Sequence, residues 1–155
     1  MYVTMYVTGD VFIDTNVLVY AYDRSAASKQ ERALETLDHL VTRGRGRLSV
    51  QILGEFFRAA TTKLKPPLSL ADARSELATL ARTWPILPVT PLVVLEAARG
   101  VDQHGLPYWN AEIWATARLN QIDVVLSEDF SEGRVIDGVA FRNPFARGFT
   151  LASLH

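Results

Sequence analysis

The chain has 155 residues, 48% hydrophobic and 21% charged, which suits one globular domain with a real core and excludes a disordered chain. Its net charge of −1 excludes a global basic field, so any nucleic-acid surface has to be a local patch. With no cysteine there is no disulfide, thiolate metal site or cysteine nucleophile, which fits a reducing, cytoplasmic setting.

The start, MYVTMYVTGD, has neither the basic nor the apolar region of a signal peptide. Its repeated MYVT reads as an upstream start or an added segment, and residues 1–9 are set aside. Val11-Phe-Ile13 reads as a buried strand entering a helix through the cap formers Asp14, Thr15 and Asn16. Ala33, Leu34, Leu37, Leu40 and Val41 give residues 28–42 a helical period. Arg43-Gly-Arg-Gly-Arg47 is expected to be a turn, with a strand at Leu48–Val50. A helix over 51–63 is stopped by Pro66-Pro67, and another begins at a cap-like Ser69 and reaches Ala81. Ile86–Val89 reads as a strand, and Pro91 opens a helix to about Arg99. PYWNAEIWATARL opens a helix from about Pro107 to Asn120, with Asn110 as a possible cap. Ile122–Leu126 and Val139–Arg142 are the last strands. No apolar run is long enough to span a membrane.

Short strands alternating with helices predict a single α/β domain whose short-stranded parallel sheet is covered by helices. Ligands of such sheets sit beyond the carboxyl ends of the strands. Acids fall there: Asp14 ends the first strand, and Glu128 and Asp129 follow Ile122–Leu126. Glu55 lies in the first turns of its helix among Ile52, Leu53, Phe56 and Phe57, where a lone carboxylate is costly to bury. Asn110 stands at the start of its helix, facing the same edge. Crowded carboxylates repel unless a cation or a retained proton relieves them. The three scattered histidines leave oxygen ligands, and so Mg²⁺ or Mn²⁺, which suit phosphodiester hydrolysis.

Each acid also has an ordinary role. Asp14 is as good an N-cap as a ligand, Glu55 can pair with Arg58 or Lys63, and Glu128 and Asp129 can be turn residues. Their shared placement at strand ends and helix starts is what raises them together. A phosphoacceptor domain of the receiver or dehalogenase type fits less well. The DTN loop lacks a second aspartate, and no lysine closes the last strands.

The segments FIDTNVLVYAYD (12–23), LSVQILGEFFRAATTKL (48–64), YWNAEIWATA (108–117), LSEDFSEG (126–133) and RNPF (142–145) resemble, in order, those of the PIN-domain ribonucleases, most closely the VapC toxins. The resemblance runs from Val11 to Phe145. It implies a three-layer α/β/α PIN-like domain, a Mg²⁺- or Mn²⁺-dependent endoribonuclease, a homodimer, and inhibition by a cognate antitoxin. It carries the acidic site onto Asp14, Glu55 and Asp129 as metal ligands, with Thr15 and Asn16 supporting and Glu128 giving an outer bond. The fourth position, usually aspartate in a YWDA-like context, falls on Asn110, which keeps an oxygen but loses the charge.

A weakened enzyme and a catalytically disabled module that only binds antitoxin or RNA are therefore both open. Glu112 is two residues on, about 200° around a helix, and is expected to point away from a site that Asn110 faces. Arg43, Arg45, Arg47 and Arg58 are the RNA-binding candidates, with Arg58 the better placed beside Glu55.

Overall fold

The computed structural model describes residues 9–154. The MYVT repeat lies outside them. The sheet has six strands: β1 (Val11–Ile13), β2 (Gly46–Ser49), β3 (Ile86–Leu87), β4 (Val124–Leu126), β5 (Val135–Ile136) and β6 (Val139–Arg142). Among the described residues six α-helices accompany them: α1 (Thr15–Tyr20), α2 (Ala27–Arg43), α3 (Val50–Thr62), α4 (Leu70–Thr83), α5 (Pro91–His104) and α6 (Tyr108–Leu119). The strand order is β3-β2-β1-β4-β6-β5, parallel except for the β5–β6 hairpin. The result is a three-layer α/β/α domain, as expected.

β1 and β4 are the two central strands of this order. Val11 pairs with Gly46 on one side and Val124 on the other, and Ile13 pairs with Leu126. The chain moves outward from β1 in both directions, so the ends of β1 and β4 form the switch point where a crevice opens. All three residues of β1 are buried, as a strand covered on both faces requires. The core gathers Phe12, Ile13, Leu18, Leu48, Ile52, Phe56, Trp114 and Phe141, all at most 2% exposed. Each such side chain contributes about 1.5–3 kcal/mol by leaving water.

Several boundaries differ from those expected, for local reasons. The Arg43–Arg47 run is not a turn throughout. Arg43 ends α2, Gly44 takes the left-handed φ of +64° that stops it, and Gly46 and Arg47 already belong to β2. Gly46 is required there because a Cβ would collide with the Trp84 ring. α5 runs past Arg99 to His104 and stops at left-handed Gly105. Gly100 inside it admits the Trp114 ring, which a Cβ would meet at 2.8 Å. The hairpin strand β5, only two residues long, was not foreseen. α6 is capped by Pro107 without a side-chain bond, so Asn110 is its third residue and not its cap.

Candidate active site

Beyond the carboxyl ends of β1 and β4 lies a cavity of about 940 Å³. It is lined by Asp14, Thr15 and Asn16 from the β1–α1 junction, Gln51, Glu55, Arg58 and Lys63 from α3 and its end, Asn110 and Glu112 from α6, and Glu128 and Asp129 after β4. The predicted acidic constellation thus lines one cavity.

Asp14 is only 4% exposed. It caps α1, accepting from the Thr15 backbone N–H at 2.7 Å on Oδ1. Its Oδ2 accepts from the Ser127 hydroxyl, also at 2.7 Å. The cap and the site readings therefore both hold for this residue. Burial pushes its carboxyl up to about 7. The Ser127 and Thr15 bonds oppose that rise, and the charges of Asp129 and Glu55 add to it. The Asp129 carboxyl is also raised, by burial first and by the Glu128 charge next, while an Asn16 bond opposes the shift.

Glu55 does not pair with Arg58 or Lys63. It accepts from the Thr15 hydroxyl at 2.6 Å and from the Gln51 amide at 2.9 Å. The same Gln51 nitrogen donates to the Trp109 carbonyl at 3.1 Å, joining α3 to the start of α6. Asn16 bridges the two loops, its amide approaching the Ser127 hydroxyl and its oxygen the Glu128 backbone N–H, each at 3.4 Å. Ser127 in turn accepts from the Asp129 backbone N–H at 3.0 Å.

Glu128 lines the cavity, and its two oxygens accept from the Tyr20 hydroxyl (2.7 Å) and the Lys29 ammonium (2.8 Å), so it also anchors the post-β4 loop. Two expectations need correction. Arg43, Arg45 and Arg47 lie at the opposite edge of the sheet, where β1 and β2 begin. Arg43 bonds His39, Arg45 bonds the Gly9 carbonyl, and Arg47 pairs with Asp10. Only Arg58 of the four arginines lines the cavity, and Lys63 joins it. Glu112 does not point away. It lines the cavity and is 5% exposed. Helical side chains lean toward the helix start, and Tyr108, four residues earlier, holds Glu112 there through a 3.1 Å bond.

Sequence reasoning missed Ser127, Gln51 and Lys29. Ser127 stands inside the LSEDF motif but reads as a turn residue. Gln51 is four residues before Glu55, a spacing that signals a helical pair. Lys29 carries no local signal, since its partner is 99 residues away.

The donor set is oxygen-rich, like-charged and partly desolvated, which is what a hard dication relieves. Asp14, Glu55 and Asp129 are the residues that could hold one. Among the described residues no three of His, Asp and Glu close into a ready-made cation cage. The hydroxyls of Thr15 and Ser127 hold Glu55 and Asp14 instead.

The sequence profile of the PIN domain matches residues 11–133. No curated protein sequence matches the chain. Among solved structures, the fold is similar to that of a toxin–antitoxin complex from Klebsiella pneumoniae, with a TM-score of 0.63 and 16% identity over 88% of this chain and 98% of that one. It is also similar to VapBC2 from Rickettsia felis, bound to a DNA fragment from its promoter, with a TM-score of 0.63 and 15% identity over 86% and 97%. VapC20 from Mycobacterium tuberculosis, a Sarcin-Ricin loop cleaving toxin, has a TM-score of 0.55 and 14% identity over 75% and 87%.

Proposed function

Because the chain belongs to the PIN-domain family, we propose that it is a metal-dependent endoribonuclease, the toxin of a toxin–antitoxin pair. The observation that carries this reading is the convergence of Asp14, Glu55 and Asp129 on one cavity at the switch point of the sheet, with Asp14 almost fully buried. Asp14, Glu55 and Asp129 would hold Mg²⁺ or Mn²⁺. Such an ion supplies an activated water and stabilises charge on a phosphoryl group in flight.

The chain's own residues do the rest. Ser127 and the Thr15 backbone orient Asp14, while the Thr15 hydroxyl and Gln51 orient Glu55. Arg58 and Lys63 give the acidic cavity the cations that an RNA backbone requires. Trp109, 63% exposed at the cavity, offers a ring on which a base can stack. An antitoxin partner would place a basic side chain among the carboxylates, over the apolar rim of Val50 and Trp109. A homodimer is part of the same proposal. Among the described residues no helix is long and apolar enough to cross a membrane.

The test is cleavage of RNA with and without Mg²⁺ or Mn²⁺. Cleavage is expected to need the ion and to vanish in Asp14→Ala, and cleavage that persists in that variant overturns the assignment. A second reading, a module that binds antitoxin or RNA without cutting, is favoured by the neutral Asn110. Activity that appears only in Asn110→Asp would establish it for the native chain.

A further inference from the structure

Residues 111–117 of α6 are buried without a break, and six of them are Ala, Ile, Trp or Thr. The seventh is Glu112, a carboxylate-bearing residue only 5% exposed among neighbours at 0–2%. Its one hydrogen-bond partner among the described residues is the neutral Tyr108 hydroxyl, and no Arg, Lys or His there reaches ion-pair distance. A buried charge without a counter-charge is among the costliest features a fold can keep. A second, independent sign of a missing partner comes from another wall of the cavity. The Gln51 side-chain oxygen is buried and accepts no hydrogen bond from any described residue, although its amide nitrogen donates to both Glu55 and the Trp109 carbonyl.

Glu112 lines the same cavity as Asn110, where the charge of the usual aspartate is lacking. The glutamate side chain is one methylene longer than aspartate, and leaning toward the helix start it reaches the cavity from two positions further along α6. We propose that Glu112 supplies this cavity with the fourth carboxylate that Asn110 lacks, and so takes part in binding the cation. The proposal rests on the metal-dependent reading above.

The experiment measures Mn²⁺ binding to the whole chain, without RNA, by electron paramagnetic resonance and calorimetry, together with melting temperatures in chelator. Glu112→Gln is expected to weaken Mn²⁺ binding tenfold or more and to raise the metal-free melting temperature, because an uncompensated charge has gone. Asn110→Asp in the native background is expected to tighten binding less than threefold, since the charge is already present. The double variant is expected to return to within threefold of the native affinity.

Unchanged affinity in Glu112→Gln, alongside a lower melting temperature and lost binding in Asp14→Asn, marks Glu112 as a structural acceptor. That outcome overturns the proposal while the metal-dependent reading stands. A native chain that binds no Mn²⁺ at millimolar concentration overturns both. Should Glu112→Gln fail to fold, Asn110→Asp decides alone: tightening beyond tenfold shows a missing charge that Glu112 does not provide and overturns the proposal.

Discussion

The Thr15 hydroxyl donates to the Glu55 carboxylate at 2.6 Å, tying the start of α1 to α3 across 40 residues of sequence. Thr15→Val keeps the shape and deletes the donor, leaving Glu55 with Gln51 alone. The variant is expected to lose about 1–3 kcal/mol of stability in a denaturant titration. RNA cleavage is expected to fall roughly 10–100-fold, as it does when a group orienting a ligand is removed. Thr15→Ser keeps the hydroxyl, and cleavage there is expected to stay within a few-fold of the native rate. Equal losses in both variants would show that the hydroxyl does not matter.

The buried carboxyl of Asp14 sets a pH dependence. Its folded value of about 7 lies above the ordinary 3.8, so the folded chain holds a proton there that the unfolded chain gives up. This contribution is full below about pH 4 and is lost as the pH rises through 7. The melting temperature of the metal-free protein, taken relative to Asp14→Asn, is expected to drop on the order of 5–10 °C between pH 4 and pH 8. Added Mn²⁺ is expected to restore most of the loss above pH 7. A flat difference across this range would show that the buried carboxyl does not control stability.

The cations divide by edge of the sheet. Arg58 and Lys63 line the cavity, whereas Arg47 is engaged by Asp10 at the far edge. Binding of a single-stranded RNA in chelator, followed across salt concentration, is expected to lose about 0.7 from its log–log slope for Arg58→Ala and for Lys63→Ala. Arg47→Ala is expected to leave the slope unchanged. A reduced slope in Arg47→Ala would move the RNA path to the opposite edge.

The parts of the site that follow from local pattern were legible. Asp14 and Asp129 stand just past apolar strands, and Glu55 is an acid among apolar helix residues, so the sheet rule alone brings them together. What was not legible depends on distance along the chain or on side-chain reach. Lys29 holds Glu128 from α2, and Ser127 holds Asp14 through a hydroxyl that looks like any turn serine. Glu112 was expected on the wrong side because rotation per residue describes where Cα atoms sit, while a long side chain leans back along the axis. The arginine run failed because Gly46 was read as a turn former, whereas in β2 it clears space for Trp84. The two-residue strand β5 is too short to carry any period.

The pairing of β4 beside β1 bears on how the protein is made. The Asp14 backbone N–H bonds the Leu126 carbonyl and its side chain is held by Ser127, 113 residues further along. A growing chain therefore carries Asp14 for more than a hundred residues before the partner that holds it is made. Only when β4 leaves the ribosome and inserts next to β1 does the cavity close.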